Sequence, residues 1–348
     1  MTSDPNNNEN ETGTIPMKAI IWTKYGSPDG LQLKDVDKPT PKDNEILIKI
    51  HATTVTAGDS EMRRLKLPLM LSFPFRLYVG LIKPKRIKIL GQELAGEVEK
   101  AGKDIKLLQE GDQVFGTTGF SFGAYAEYIC LNGNPNDMQG ALAKKPTNIT
   151  YEEAAALPTA GFEALHFLRE ANIQTGQKVL VFGAGGSIGT FSVQLAKYFG
   201  AEVTGVDSTG KMDMLRSIGA DHVIDYTQED FTKNGQTYDV IIDVVGKSSF
   251  SSRLKSLKKD GLYFLANAGL SHIILGIWTS MTSGRKVIIE SAGQKREDLL
   301  FLKELVEAGK LKSVIDKCYP LEEIPEAHRY ADTGQKKGNI AITVAHNQ

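Results

Sequence analysis

Gly183-Ala-Gly-Gly-Ser-Ile-Gly189 is the stretch that decides the fold, because it joins two runs of different periodicity. The run before it, Lys178-Val-Leu-Val-Phe182, is short, apolar and rich in β-branched residues, as buried strands are. After it, apolar residues recur at helical spacing from Ile188 to Phe199, and Gly200 follows as a helix-ending residue. The sequence therefore predicts a strand, a glycine turn and an amphipathic helix in succession.

The glycine turn has the composition of a phosphate-binding loop. Glycines let the backbone turn tightly and approach a pyrophosphate, whose charge is stabilised by the free N–H groups of the following helix. The next strand-like run ends on Asp207, about twenty residues later, where an acidic residue binds the ribose in dinucleotide-binding units. The glycines follow G-x-x-G-x-x-G rather than G-x-G-x-x-G, and the absence of a following Gly-Lys-Ser/Thr excludes a Walker-type loop. We expect dinucleotide binding, with an ordinary strand-to-helix turn as the alternative.

From Lys178 onward, strand-like and helix-like runs alternate. We expect strands at Val179–Phe182, Val203–Val206, His222–Ile224, Val240–Asp243, Leu262–Ala266 and Val287–Ile289. Because these runs are apolar throughout, they predict a doubly wound parallel sheet, which binds ligands at the carboxyl ends of its strands. The candidate cofactor-binding residues at those ends are Gly183, Gly186, Ser187, Ile188, Gly189, Asp207, Ser208, Lys211, Tyr226, Val245, Asn267 and Ala268.

The part of the chain before this sheet is β-rich. Short strand-like runs such as Met17–Trp22, Leu31–Val36 and Glu45–Thr53 are separated by Gly, Pro and Asp, which predicts a compact, partly open β-barrel. Tyr151–Ala171 then has a helical pattern that is interrupted near Leu157–Gly161.

These patterns predict an α/β protein of two domains. We expect a disordered polar tail at residues 1–16, a β-rich domain at 17–150 and a dinucleotide-binding domain at 151–294. Residues 295–348 are expected to begin with a helix at Arg296–Ala308 and to return to the first domain, because their terminal strand finds no place in the parallel sheet.

Leu67–Leu90 is an unusual segment in which apolar clusters are broken by prolines and followed by Lys and Arg residues. Its prolines and Arg76 interrupt the apolar residues, so that no uninterrupted apolar run is long enough for a membrane span. A lid over a substrate cleft, a packing insertion with a solvated basic end and a membrane-surface patch are the three interpretations.

The composition of the 348-residue chain is that of an ordinary soluble globular protein. A formal net charge of -1 gives no electrostatic case for nucleic acid or an anionic membrane as partner. Two cysteines, Cys130 and Cys318, are too few for a disulfide framework and fit a reducing compartment. The polar first 16 residues lack the apolar core of a signal peptide, so we expect a cytoplasmic location.

Several motifs in a fixed order carry a resemblance to a known family. They are Gly91-Gln-Glu-Leu-Ala-Gly-Glu-Val98, Gly111-Asp-Gln-Val-Phe-Gly116, Glu153-Ala-Ala-Ala-Leu-Pro158, the glycine turn, Leu215-Arg-Ser-Ile-Gly-Ala-Asp221 and Val223-Ile-Asp-Tyr226. From Met17 to Val344 the chain resembles the medium-chain dehydrogenase/reductase superfamily, and within it the zinc-independent quinone oxidoreductases. The resemblance implies a GroES-like catalytic domain, a Rossmann domain that binds NAD(P)H, and a cleft between them.

Comparison with the zinc alcohol dehydrogenases of the superfamily indicates that no metal is bound. Those enzymes have a cysteine where this chain has Thr56, a histidine where it has Gln92, and a third ligand near Thr159–Gly161. Threonine and glutamine are poor zinc ligands, and the four clustered cysteines of the structural zinc site are missing. Without a Lewis acid, hydride transfer to a quinone or an α,β-unsaturated carbonyl is the natural reaction.

The resemblance also supplies three candidate catalytic residues. Thr56 occupies the polar active-site position, which is often Asn in quinone reductases, and Thr159 is expected near the nicotinamide. Asp59 lies in the same motif as Thr56 and is either catalytic or a helix cap. No residue stands out as a general acid, so water is one source of the final proton.

The choice between NADH and NADPH depends on the residues that follow the second strand. Asp207 would bind the ribose hydroxyls and repel a 2′-phosphate, which favours NADH. Ser208, Thr209 and Lys211 would hold that phosphate, with Tyr226 nearby, as is usual in the branch. We expect NADH, with NADPH as the alternative.

The expected function is thus the NAD(P)H-dependent reduction of a small-molecule quinone or enone, with a homodimer formed through edge strand Val287–Ile289. An alcohol dehydrogenase or aldehyde reductase is the second interpretation. A nucleotide-binding sensor without turnover is the third.

Overall fold

The computed structural model describes residues 15–65, 75–246, 250–266 and 270–346. Most of the predicted tail, residues 67–74 of the apolar segment, Asn267 and Ala268 lie outside the described residues. The strands are β1 (Pro16–Trp22), β2 (Leu31–Asp37), β3 (Glu45–Thr54), β4 (Glu93–Ala101), β5 (Gln113–Thr117), β6 (Tyr128–Asn132), β7 (Leu142–Lys144), β8 (Lys178–Phe182), β9 (Glu202–Asp207), β10 (His222–Asp225), β11 (Tyr238–Asp243), β12 (Leu257–Leu265), β13 (Lys286–Ile288), β14 (Ile315–Pro320) and β15 (Asn339–Thr343).

The α-helices include α1 (Ala57–Arg64), α2 (Tyr151–Ala155), α3 (Pro158–Glu170), α4 (Ser187–Tyr198), α5 (Met212–Ser217), α6 (Phe250–Arg253), α7 (Leu270–Thr282), α8 (Arg296–Glu307) and α9 (Ile324–Asp332). The predicted interruption of the helical pattern after Tyr151 is confirmed, because α2 ends at Ala155 and α3 begins at Pro158. Pro158 has no N–H to donate, so it fits the first turn of a new helix but not the interior of an old one. Within the described part of the chain, no helix is long and apolar enough to cross a membrane.

A six-stranded parallel sheet carries the glycine turn. Its strand order is β10-β9-β8-β11-β12-β13, so the chain begins in the middle at β8 and extends to both edges. Strand order reverses between β8 and β11, and ligands bind at such a switch point in doubly wound sheets. The predicted α/β fold with a Rossmann sheet is confirmed.

The β-rich part is built on a seven-stranded sheet of order β14-β15-β3-β4-β5-β7, with β6 paired to β3 and β1–β2 forming a separate ribbon. The C-terminal strand β15 lies antiparallel to β3, with Ala341 opposite Thr54. Strand β4 begins at Glu93, which places this acidic residue at the end of a strand of the sheet.

The two sheets share one apolar core. Ala52 and Phe115 from the β-rich part belong to the same buried cluster as Val179 and Phe264 from the parallel sheet. This packing fixes the cleft that lies between the two parts.

Candidate active site

A cleft of about 450 Å³ lies where the β-rich part meets the carboxyl ends of the parallel strands. The β-rich part contributes α1 and the first residue of β4, and the parallel-sheet part contributes the start of α4 and the ends of β11 and β12. The residues that line it are Thr54, Val55, Thr56, Ala57, Gly58, Glu61, Glu93, Thr159, Ala160, Glu163, Gly186, Ser187, Ile188, Val244, Ala266, Ser291, Lys336 and Asn339.

The glycine turn at one end of the cleft requires glycine for steric reasons. Gly183 has a φ of 81°, and a Cβ atom there would lie 2.6 Å from a methyl group of Val245. A Cβ atom on Gly189 would lie 2.3 Å from the carbonyl oxygen of Gly183. Gly186 differs, because it caps α4 with extended backbone and its Cβ position is open apart from one contact at 3.5 Å.

The open space at Gly186 lies where α4 begins, and both Gly186 and Ser187 line the cleft. The first N–H groups of a helix are free to bind an anion that approaches closely. The turn therefore fits the pyrophosphate of a dinucleotide: it needs glycines to form, and it leaves a face uncovered at the helix N-terminus.

Asp207 is buried at the end of β9, and its carboxylate contacts two backbone N–H groups, the Ser208 hydroxyl and the Lys211 ammonium. Oδ2 accepts from the N–H of Gly185 at 2.8 Å, and Oδ1 accepts from the N–H of Ser208 at 2.8 Å. The Lys211 ammonium lies 3.1 Å from Oδ1 and is equally buried. The two residues expected to favour different cofactors thus form one buried ion pair.

The other predicted cofactor-binding residues differ in their exposure and in their contacts. Tyr226 is about half exposed, and its N–H donates to the Asp207 carbonyl at 3.1 Å. Val245 follows β11, where the buried Asp243 carboxylate accepts from its N–H at 3.0 Å. Ile188 and Ser187 line the cleft.

Thr56 and Asp59 form a capping box at the start of α1. The N–H of Asp59 donates to Thr56 Oγ1 at 3.0 Å, while Asp59 Oδ2 accepts from the N–H and the hydroxyl of Thr56. Asp59 also accepts from the N–H of Gly91 at 3.2 Å, and burial raises its pKa to about 6. Asp59 has no exposed surface and does not line the cleft, whereas Thr56 does.

Glu93 is a carboxylate in the cleft that the sequence analysis missed. One oxygen accepts from the N–H of Thr159 at 2.7 Å, and the other accepts from the Thr54 hydroxyl. Burial raises the pKa of Glu93 to about 7, although the hydrogen bonds from both threonines act in the opposite direction. The signal was an acid inside the apolar start of a strand, directly after Gln92.

Lys336 is the second cleft residue that the sequence analysis missed. It lies on the loop before β15. Its Nζ donates to Ser187 Oγ at 2.5 Å and to the Gly338 carbonyl at 2.6 Å. Burial, together with the charge of Lys211, lowers the pKa of Lys336 to about 8. A cation is therefore held at the N-terminus of α4.

Thr56 and Gln92 are the two residues that the sequence analysis compared with zinc ligands of alcohol dehydrogenases. The Gln92 amide donates weakly to the Gly119 carbonyl at 3.5 Å, and its oxygen lies 2.8 Å from the Cβ position of Gly58. Among the residues that the structure describes, no three His, Cys, Asp or Glu side chains are grouped to hold a metal ion.

Comparisons with known proteins agree with this geometry. Residues 42–142 match the family model of the alcohol dehydrogenase GroES-like domain, and residues 218–342 match that of the zinc-binding dehydrogenases. The chain is 33% identical to a 2-methylene-furan-3-one reductase of Solanum lycopersicum, over 94% of this chain and 79% of that protein. It is 30% identical to the mitochondrial NAD(P)H oxidoreductase RTN4IP1 of Bos taurus, over 94% of this chain and 89% of that protein.

Among solved structures, the quinone oxidoreductase from Coxiella burnetii superposes with a TM-score of 0.83 at 29% identity, covering 95% of this chain and 100% of that one. The fold, the glycine turn and these relatives together identify the chain as a member of the medium-chain dehydrogenase/reductase superfamily, on the branch of the quinone and enone oxidoreductases.

Proposed function

We propose that this protein is an NAD(P)H-dependent reductase that transfers a hydride to a quinone or an α,β-unsaturated carbonyl. The observation that carries the proposal is the cleft itself, which brings the N-terminus of α4 together with Thr56, Thr159 and Glu93. The relatives named as an enone reductase and a quinone oxidoreductase support the same substrate class.

The glycine turn, Ser187 and Lys336 would hold the pyrophosphate of the cofactor. Free N–H groups at the helix start and the Lys336 ammonium both favour a negatively charged group. Asp207, Ser208, Lys211 and Tyr226 would surround the adenosine ribose, and Val245 would lie beside it. The bound nicotinamide supplies the hydride.

NADH is the expected cofactor, because recruiting Lys211 to a 2′-phosphate would break its buried pair with Asp207. Loss of one partner leaves the other charge buried and unpaired, which is costly. The Asp207–Lys211 pair therefore disfavours binding of the 2′-phosphate of NADPH, even though the pair contains a cation.

The cleft residues would complete the reduction after the two electrons have arrived with the hydride. The acceptor oxygen gains negative charge, and the Thr159 hydroxyl lies on the cleft wall as a donor, whereas the Thr56 hydroxyl donates to Asp59. Glu93, with its pKa of about 7, is in part protonated at neutral pH and contacts Thr159. We assign protonated Glu93 as the proton source: its proton would pass to Thr159 Oγ1 while the Thr159 hydroxyl proton passes to the acceptor, which leaves Glu93 ionised. We assign Asp59 to positioning Thr56.

The reaction is proposed to be independent of zinc. Thr56 and Gln92 replace the cysteine and histidine ligands of the zinc alcohol dehydrogenases, and neither side chain supplies the thiolate or imidazole that zinc prefers. A metal-free site suits acceptors that are already activated by conjugation.

An assay of purified protein with NADH or NADPH and a panel of quinones, enones and simple aldehydes tests the proposal. We expect oxidation of the nicotinamide with quinones or enones, and transfer of deuterium from the labelled C4 position into the product. Metal-dependent oxidation of alcohols would instead favour an alcohol dehydrogenase. Tight cofactor binding without turnover of any acceptor would favour a nucleotide-binding sensor.

A homodimer and a cytoplasmic location are further parts of the proposal. Strand β13 is at the edge of the parallel sheet, and the adjoining helix α7 exposes Ile274, Ile277 and Trp278. A second copy pairing at β13 would cover this face. A monomeric mass by light scattering would contradict the proposed dimer. Recovery of the native protein in an organelle fraction would contradict the proposed cytoplasmic location.

A further inference from the structure

Residues 65–92 form the most one-sided charge run of the chain. They contain six Lys and Arg residues and no acidic residue, although the whole chain has a formal net charge of -1. The near-neutral total therefore hides a strongly basic segment of the sequence.

Large apolar side chains are exposed within the same run. Ile82 is 91% exposed, and Leu77, Tyr78 and Leu81 are each more than half exposed. Four cations, Lys83, Lys85, Arg86 and Lys88, are also exposed, and no ion pair is formed by them within the part of the chain that the structure describes. We call residues 75–88 the basic apolar surface.

Specific contacts hold this surface in place. Tyr25 donates from its hydroxyl to the Gly80 carbonyl at 2.5 Å, and the N–H of Lys85 donates to the Val79 carbonyl at 2.9 Å. Val79 is fully buried, and the Arg86 guanidinium lies 4.2 Å from the centre of the Tyr78 ring. The exposed side chains are therefore displayed by a packed turn of chain.

We propose that the basic apolar surface docks on an anionic lipid bilayer. Aliphatic side chains such as Leu81 and Ile82 gain by entering the acyl boundary, and a tyrosine is suited to the interface because its ring is apolar and its hydroxyl is polar. The surrounding ammonium and guanidinium groups are attracted by anionic headgroups. A nucleic acid would attract the same cations but would give Leu81 and Ile82 no apolar phase to enter.

The basic apolar surface leads along the chain into Gly91, whose N–H donates to Asp59, and then into Glu93 at the cleft. Binding to lipid does not depend on the proposed reaction, so it is tested without turnover.

Co-sedimentation of the full chain with vesicles tests the proposal. Vesicles of phosphatidylcholine alone are compared with vesicles that also contain phosphatidylserine, at low and high salt. We expect binding to the anionic vesicles that weakens with salt. The double variant Lys83→Glu/Lys85→Glu is expected to bind roughly tenfold more weakly or worse, because each cation near such a surface strengthens binding severalfold.

Matched control variants distinguish an effect of this surface from a general effect of net charge or of exposed apolar side chains. Lys259→Glu/Lys310→Glu makes the same change of net charge at exposed lysines elsewhere, and it is expected to retain most of the binding. Ile82→Ser is expected to weaken binding severalfold, whereas Met138→Ser, at another exposed apolar residue, is not. Thermal melting checks that each variant is folded.

Three outcomes would overturn the proposal. They are no preference for anionic vesicles, equal losses in the two double-lysine variants, and binding of a single-stranded RNA probe that Lys83→Glu/Lys85→Glu abolishes but Ile82→Ser leaves unchanged. The last result would assign the surface to nucleic acid.

Discussion

The Nζ atom of Lys336 lies 2.5 Å from the Oγ atom of Ser187, so the loop before the last strand of the β-rich part contacts the first residue of α4. The N–H of Gly338 donates to the Gly185 carbonyl at 2.8 Å beside it. The two parts of the molecule thus meet at the glycine turn itself, and a cofactor bound there would touch both.

Lys336→Met is expected to weaken NADH and NADPH binding alike, by about ten- to a hundredfold, because a charged hydrogen bond to an anion contributes about 1.5–3 kcal/mol. Lys337→Met, at the exposed neighbouring lysine, is the control and should bind normally. Fluorescence titration of the nicotinamide measures both. Since the pKa of Lys336 is about 8, affinity in the native protein should fall as the pH rises above that value, and this fall should be missing in Lys336→Met.

Gly186→Ala is expected to separate cofactor binding from folding. Its Cβ atom would meet only the Gly183 carbonyl oxygen, at 3.5 Å, so the protein should be stabilised by about 0.4–1 kcal/mol through the less flexible unfolded chain. The methyl group would, however, stand where the pyrophosphate approaches, and NAD(P)H affinity should fall at least tenfold by titration, about 1.4 kcal/mol. Gly189→Ala should behave differently and lower the melting temperature, because its Cβ would clash with the Gly183 carbonyl. Unchanged affinity in Gly186→Ala would place the pyrophosphate elsewhere.

The glycine turn was predictable because its signal is local. Strand β8, the turn and helix α4 follow one another within a short stretch, so periodicity and glycine spacing are enough to identify them. The capping relation of Thr56 and Asp59 is local in the same way, at a separation of three residues.

Glu93 and Lys336 were not predictable by such reasoning, because their partners are distant in the chain. The Glu93 carboxylate meets the N–H of Thr159 across 66 positions, and Lys336 meets Ser187 across 149. Periodicity says which face of a strand is buried, but not which loop of another domain will lie against it. The pairing of Asp207 with Lys211 is local, yet the two residues were weighed as rivals because sequence does not show that their charges neutralise each other.

Asp207→Asn is expected to shift the cofactor preference toward NADPH by about tenfold or more, about 1.4 kcal/mol. The amide oxygen can still accept from the N–H of Gly185, so the turn is kept, while Lys211 is released from its ion pair to meet a 2′-phosphate. The ratio of NADH and NADPH dissociation constants measures the effect. Lys211→Met is the counterpart and should disfavour NADPH further, with a loss of stability of about 3–5 kcal/mol because Asp207 is left buried and unpaired. A ratio that does not move in Asp207→Asn would mean that this pair does not select the cofactor.

Glu93→Gln is expected to change the pH dependence of both stability and turnover. The pKa of Glu93 is raised to about 7 from an ordinary value of 4.5, so the folded protein holds a proton that the unfolded chain loses between these values. Stability of the native protein should therefore fall as the pH rises through this window. At about 1.4 kcal/mol per unit of pKa, the loss attributable to Glu93 is about 3 kcal/mol.

In Glu93→Gln that part of the slope should disappear, so the variant gains stability relative to the native protein between pH 4.5 and 7, as measured by chemical denaturation at several pH values. Glu110→Gln, at an exposed glutamate, removes the same charge and should leave the slope unchanged. If Glu93 is also the proton source, Glu93→Gln should lower kcat while cofactor affinity stays constant, because Thr54 and Thr159 keep a hydrogen-bonding partner. If the pH dependence of stability flattens in Glu93→Gln but kcat does not fall, Glu93 is a buried carboxyl with a raised pKa but is not the proton source. Water would then be the proton donor.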